Sequence, residues 1–168
     1  MAAATLRLTP RTNYFGLGLQ NSRGFRALKV WLGLRQAGRA GYREMIGDDI
    51  RLARELHRLV EAEPRLEALT CALSISTFRY VPGDLKPGTE AVDTYLNDLN
   101  EELLHRLKVS GEAYLSNAVV DGTFALRACI VNFRTALADV EAVPGIVLRH
   151  GKSADRALRP KRLPSLPR

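Results

Sequence analysis

The chain has 168 residues, 46% hydrophobic and 26% charged, a composition that supports one domain with a real core and excludes a disordered chain. It has no apolar run of about eighteen residues, and the N-terminal "MAAATLRLTP" is short and broken by Arg7, so neither a spanning helix nor a signal peptide is expected; the sequence reads as cytoplasmic, with no membrane partner. The net charge of +7 is unevenly spread: residues 1–43 carry +8 and no acid, 44–151 carry −6, and 152–168 carry +5, so the folded middle is acidic and no nucleic-acid partner is expected.

Residues 1–20 read as an irregular N-terminal segment, and 21–64 as a helical segment. A first helix is expected over 22–37. Arg26, Lys29, Gly33 and Gln36 form its polar stripe, and Phe25, Leu28, Val30, Trp31, Leu32 and Leu34 cover the rest, leaving most of the circumference to be buried. Gly38 and Gly41 bracket a break. A second helix follows from Tyr42 and ends at Pro64; Tyr42, Ile46, Ala53, Leu56 and Val60 lie along one stripe, and Arg51 and Glu55 are spaced for a pair. His57 and His105 are expected at the surface.

After Pro64 the period changes to alternation. "LEALTCALSISTFRYVP" is rich in β-branched and aromatic residues and reads as one strand or two short ones. A helix over 89–108 turns Val92, Leu96, Leu99 and Leu103 inward, with Gly111 past its end. "AYLSNAVVDGTFALRACIVNF" is two alternating runs joined by Asp121-Gly122, the pair a two-residue type I′ turn requires because both central residues need positive φ. A last helix over 137–149 starts or kinks at Pro144, and 152–168 reads as a basic, mobile tail. The expected fold is α+β: two long N-terminal helices, then, over 65–151, a small antiparallel sheet of three or four strands covered by helices.

Most chemistries are excluded residue by residue. "GLGLQN" begins like a dinucleotide loop, but its sixth position is Asn21 and no strand precedes it. The three histidines have no metal-ligand spacing, and no metal site is expected. Cys71 and Cys129, in separate apolar segments, read as buried free thiols. Asp48 and Asp49 are adjacent on a helix and point apart. What remains is "NSRG" at the start of the first helix, where Asn21, Ser22 and Arg23 suit either an ordinary N-cap or an anion-binding helix terminus. No complete catalytic set is present.

"SRGFRALKVW", "LGLRQAGRAGYREMI", "STFRYVP" and "FALRACIVNFRT" together resemble the C-terminal portion of the group II pyridoxal-phosphate-dependent decarboxylases, the aromatic-amino-acid, histidine and glutamate decarboxylase family, over residues 13–150. The resemblance implies a fold type I enzyme that works as an intimate dimer, with pyridoxal 5′-phosphate held by a large domain. This chain would then be the segment joining the two domains (21–64) and the small C-terminal domain (65–151). It also implies that the lysine bearing the cofactor, in an Asn-x-His-Lys segment, lies upstream of the matched region. Ser22 matches the small residue beside substrate and cofactor, Arg23 and Asn21 flank it, and Gly24 stands where many members carry a second basic residue. The expected function is therefore the C-terminal part of an amino-acid decarboxylase, inactive without its large domain. The alternative is a non-catalytic interaction module that keeps the small-domain fold.

Overall fold

A computed structural model of the chain describes residues 24–162, with side chains through 159. The chain divides between Ala40 and Gly41 into two compact units. Helix α1 spans Arg26–Glu61 but is interrupted at Gly38, where φ 64° and ψ 180° leave the helical region. That conformation is accessible essentially to glycine alone, so the break expected at this position has a residue-level cause.

In the first unit the described part of α1 exposes every large apolar residue it carries: Trp31 is 56% exposed, and Leu28, Val30, Leu32 and Leu34 are exposed too, as is Phe25 just before the helix, at 73%. Arg35 stacks over the Trp31 ring with its guanidinium carbon 5.7 Å from the centroid.

The second unit, which begins at Gly41, has the expected α+β fold. Strands β1 (Leu66–Ala72) and β2 (Ile75–Tyr80) form a hairpin, helix α2 (Glu90–Ser110) follows, β3 (Ser116–Val120) and β4 (Thr123–Cys129) form a second hairpin, and helix α3 (Leu137–Arg162) ends the described chain. The four strands make one sheet in the order β1-β2-β4-β3, all neighbours antiparallel. The Asp121-Gly122 turn has φ 48° and 79°, both positive as a two-residue hairpin turn demands. The first hairpin closes at Leu73-Ser74, with Leu73 itself at φ 50°.

One sheet face carries the helices. Ser76, Phe78 and Tyr80 point into it: His57 of α1 meets Ser76 Oγ, Asn100 of α2 hydrogen-bonds both backbone groups of Tyr80, and Gly151 of α3 lies against the Tyr80 ring. A Cβ at Gly151 would sit 2.7 Å from that ring, so glycine permits the close helix–strand approach. The core beneath is Leu52, Leu56 and Val60 of α1, Leu96, Leu99, Leu103 and Leu107 of α2, Leu126 of β4, and Val140 and Val147 of α3. The other face is polar and paired across strands: Glu67 with Arg79 at 2.6 Å, Thr70 with Thr77 at 2.6 Å, Ser116 with Arg127.

Several expectations are corrected. Residues 152–162 are not a solvated tail: α3 runs on through Pro144 to Arg162, with Ala154 and Arg159 buried. Cys71 and Cys129 are free, as expected, but exposed, because they sit at strand ends. Arg51 pairs with Asp48 instead of Glu55, which binds Arg58, since the i,i+3 partners are closer on this surface. Ile46 is exposed, and His57 is half-buried against the sheet.

Candidate functional site

Asn21, Ser22 and Arg23, the residues singled out in the sequence, lie outside the described residues. The nearest described position is Gly24, whose carbonyl accepts a hydrogen bond from the Arg26 N–H just before the first turn of α1.

Among the described residues, the densest polar cluster is centred on Arg159 near the end of α3. Its guanidinium donates to Asp84, in the segment after β2, and to both oxygens of Asp155 one turn back, the latter each at 2.9 Å. Asp155 also accepts from the Tyr95 hydroxyl of α2. Arg159 holds the Asp84 carboxyl below the usual carboxylate range, and Asp84 in turn raises the guanidinium's already high pKa. Burial, reinforced by the Asp155 hydrogen bond, pushes the Tyr95 hydroxyl up. Every group here is satisfied by a neighbour in the chain, so the cluster is a clamp joining three elements and offers no free acid or base.

A cavity of about 270 Å³ opens between α1, the end of β4 and α3. Leu56, Leu115, Val143 and Ile146 make its apolar lining, with Glu112 and Asp139 also at its wall. Both carboxylates are engaged: Glu112 with His150 at 2.8 Å and with Arg149, Asp139 with the Ala136 N–H at the start of α3. The His150 hydrogen bond, helped by Arg149, holds Glu112 low.

His57 carries a third arrangement, with Nδ1 3.2 Å from Ser76 Oγ and Nε2 3.7 Å from a Glu61 oxygen. The partners are those of a hydrolase relay, but Ser76 is 0% exposed and no substrate reaches its oxygen. Among the described residues no group of three or more His, Cys, Asp or Glu side chains could hold a metal ion.

A pyridoxal-phosphate site needs a desolvated lysine, an acid at the ring nitrogen and a phosphate cradle. Lys29, Lys86, Lys108 and Lys152 are all exposed, and the described residues do not fit that group.

Comparison gives the class: in sequence and fold the chain corresponds to the C-terminal part of the group II pyridoxal-phosphate-dependent decarboxylases. No family model matches it. It is 36% identical over 124 residues to an aromatic-L-amino-acid decarboxylase of Bacillus atrophaeus, a match covering 73% of this chain and 25% of the relative. Tyrosine decarboxylase 3 of Petroselinum crispum is 31% identical over 144 residues, 84% of this chain and 28% of that one. A phenylacetaldehyde synthase of a Rosa hybrid cultivar is 37% identical over 111 residues, 65% of this chain and 22% of that one. Among solved structures, TDC of Oryza sativa with PLP superposes with a TM-score of 0.69 at 26% identity, over 84% of this chain and 30% of that one. Mouse CSAD, at 18% identity, shares the fold with a TM-score of 0.74 over 88% of this chain and 33% of its own. The chain thus spans about a quarter of the length of the curated relatives it matches.

Proposed function

We propose that this chain is the C-terminal domain of a pyridoxal-phosphate-dependent aromatic-amino-acid decarboxylase, and that it is inactive on its own. The observation that carries the reading is the 36% identity to the Bacillus atrophaeus enzyme, confined to a quarter of that enzyme's length. Two features support it: Lys29, Lys86, Lys108 and Lys152 are exposed, and so are the large apolar side chains of the first part of α1. The complete enzyme would be a homodimer whose large domain supplies the lysine and the cofactor; the cofactor, when bound, takes up the electron pair released as carbon dioxide leaves. In this chain Ser22, flanked by Asn21 and Arg23, would line the edge of the substrate pocket.

A chimaera tests this: the upstream portion of the Bacillus atrophaeus decarboxylase joined to this chain in place of its own matched segment. Carbon dioxide release from aromatic amino acids is expected, together with its loss in Ser22→Phe, which fills the pocket edge. A folded chimaera that takes up pyridoxal phosphate but releases no carbon dioxide would overturn the reading. The isolated chain mixed with pyridoxal phosphate should show no stoichiometric visible absorption; a band lost on changing one particular lysine would contradict the proposal.

A further inference from the structure

The cavity beside α3 is left open by small side chains. Ala113 lies in the connection before β3, Ala128 near the end of β4 and Ala142 early in α3, and all three line it. Larger residues at these positions would take up the space. The remaining apolar wall is Leu56, Leu115, Val143 and Ile146, and the whole lining belongs to the unit that begins at Gly41. Its volume of about 270 Å³ exceeds the roughly 150 Å³ in which an apolar cavity holds benzene, and lies just under the range of about 300–1,000 Å³ usual for drug-sized ligands. One aromatic ring with a short side chain fits those bounds.

Charge at the wall has a single sign. Glu112 and Asp139 are its charged residues, and no Lys, Arg or His is among those that line it. Glu112 is met by His150 and Arg149 from outside the lining. Asp139 is exposed, and only its Oδ2 is engaged, by the Ala136 N–H; Oδ1 has no hydrogen-bond partner among the described residues. An anion entering here would face an uncompensated carboxylate, whereas a cation would gain a partner.

We propose that this cavity binds a small aromatic amine, its ring among Leu56, Leu115, Val143 and Ile146 and its ammonium donating to Asp139 Oδ1. The apolar lining and the acidic wall call for an amphipathic cation. The choice of an aromatic amine rests on the decarboxylase reading, since an aromatic amino acid that exchanges its carboxylate for a proton becomes one. The amino acid itself is disfavoured, because its carboxylate would be carried toward Asp139 and Glu112. The site therefore takes the product of that reaction in preference to its substrate.

The test is an amide-resolved NMR titration of the full chain at neutral pH, in a Trp31→Glu, Leu34→Glu background that removes two exposed apolar residues of α1 as a competing surface. The probes are phenethylamine, phenylpropionate, which carries the same ring with the opposite charge, and phenylalanine. Phenethylamine should give saturable shifts at Ala113, Cys129 and Val143, and both carboxylates should bind about tenfold more weakly or worse. Asp139→Asn keeps an acceptor for the Ala136 N–H and should raise the dissociation constant for the amine by about threefold to tenfold, the modest effect of an exposed charge. Ala142 is exposed, so Ala142→Phe adds a ring at the wall without entering the core and should abolish binding. Binding is read on this chain without turnover, so its outcome is independent of whether the chimaera releases carbon dioxide. No saturable shift at these positions, equal binding of amine and carboxylates, or amine binding unchanged by both substitutions would overturn the proposal.

Discussion

Arg159 is 6% exposed on the last described turns of α3, and its two carboxylate partners come from different distances in the chain: Asp155 four residues back, Asp84 seventy-five. Replacing it with Met keeps the stem's packing but leaves Asp155, and the Tyr95 hydroxyl bonded to it, without the cation. Because Asp84 is half exposed, the loss should be about 1–3 kcal/mol, below that of a fully buried pair; urea denaturation measures it. The same clamp sets an acid limit. Asp84 titrates lower in the folded chain than unfolded, so its contribution is present above an ordinary aspartate pKa of about 4 and is lost as pH falls below that toward the folded value. The thermal midpoint should fall below about pH 4, less steeply in Arg159→Met. None of this is legible locally. "KSADRALRPKR" reads as a basic tail because proline and like charges dominate it, and the partner that buries Arg159 lies on another element.

At the scale of elements, legibility follows how strictly a conformation selects its residues. Asp121-Gly122 is readable because two successive positive φ values admit few side chains. Gly122→Val meets no neighbour, so its cost is backbone strain alone, about 1–3 kcal/mol, and should appear as a lowered thermal midpoint. The β1–β2 turn is not readable, since Leu73 adopts φ 50° without any preference for it and leucine signals no turn. Helix α2 is legible almost to the residue. Glu90 and Asp93 lie in its first turn, Leu96, Leu99 and Leu103 are fully buried, and Gly111 caps it at φ 71°. Helix α3 reads too short because Pro144 and the basic residues beyond it resemble a boundary.

For the whole molecule, the residue pattern of the first helix is enough to call for a covering surface, because apolar side chains take up most of its circumference. Phe25, Trp31, Leu32 and Leu34 are each more than half exposed, which favours an apolar patch larger than a soluble monomer tolerates. The isolated chain should bind a fluorescent apolar dye, and Trp31→Glu with Leu34→Glu should abolish most of that signal without moving the thermal midpoint of residues 41–162. An unchanged signal would place the patch elsewhere. The pocket-edge role proposed for Asn21, Ser22 and Arg23 comes through family resemblance alone; a short polar run before a helix has too many ordinary roles for its chemistry to identify itself.

The strand order has a kinetic consequence. Each hairpin closes over two residues, but the seam between them joins Ile75–Phe78 to Leu126–Cys129 across about fifty intervening residues, so its closure carries most of the loop entropy. The hairpins and α2 should form early and the seam should be the barrier. Truncating Leu126, fully buried in the seam, should slow refolding; truncating Val119 on the far edge should leave the refolding arm of a chevron unchanged and act on unfolding alone.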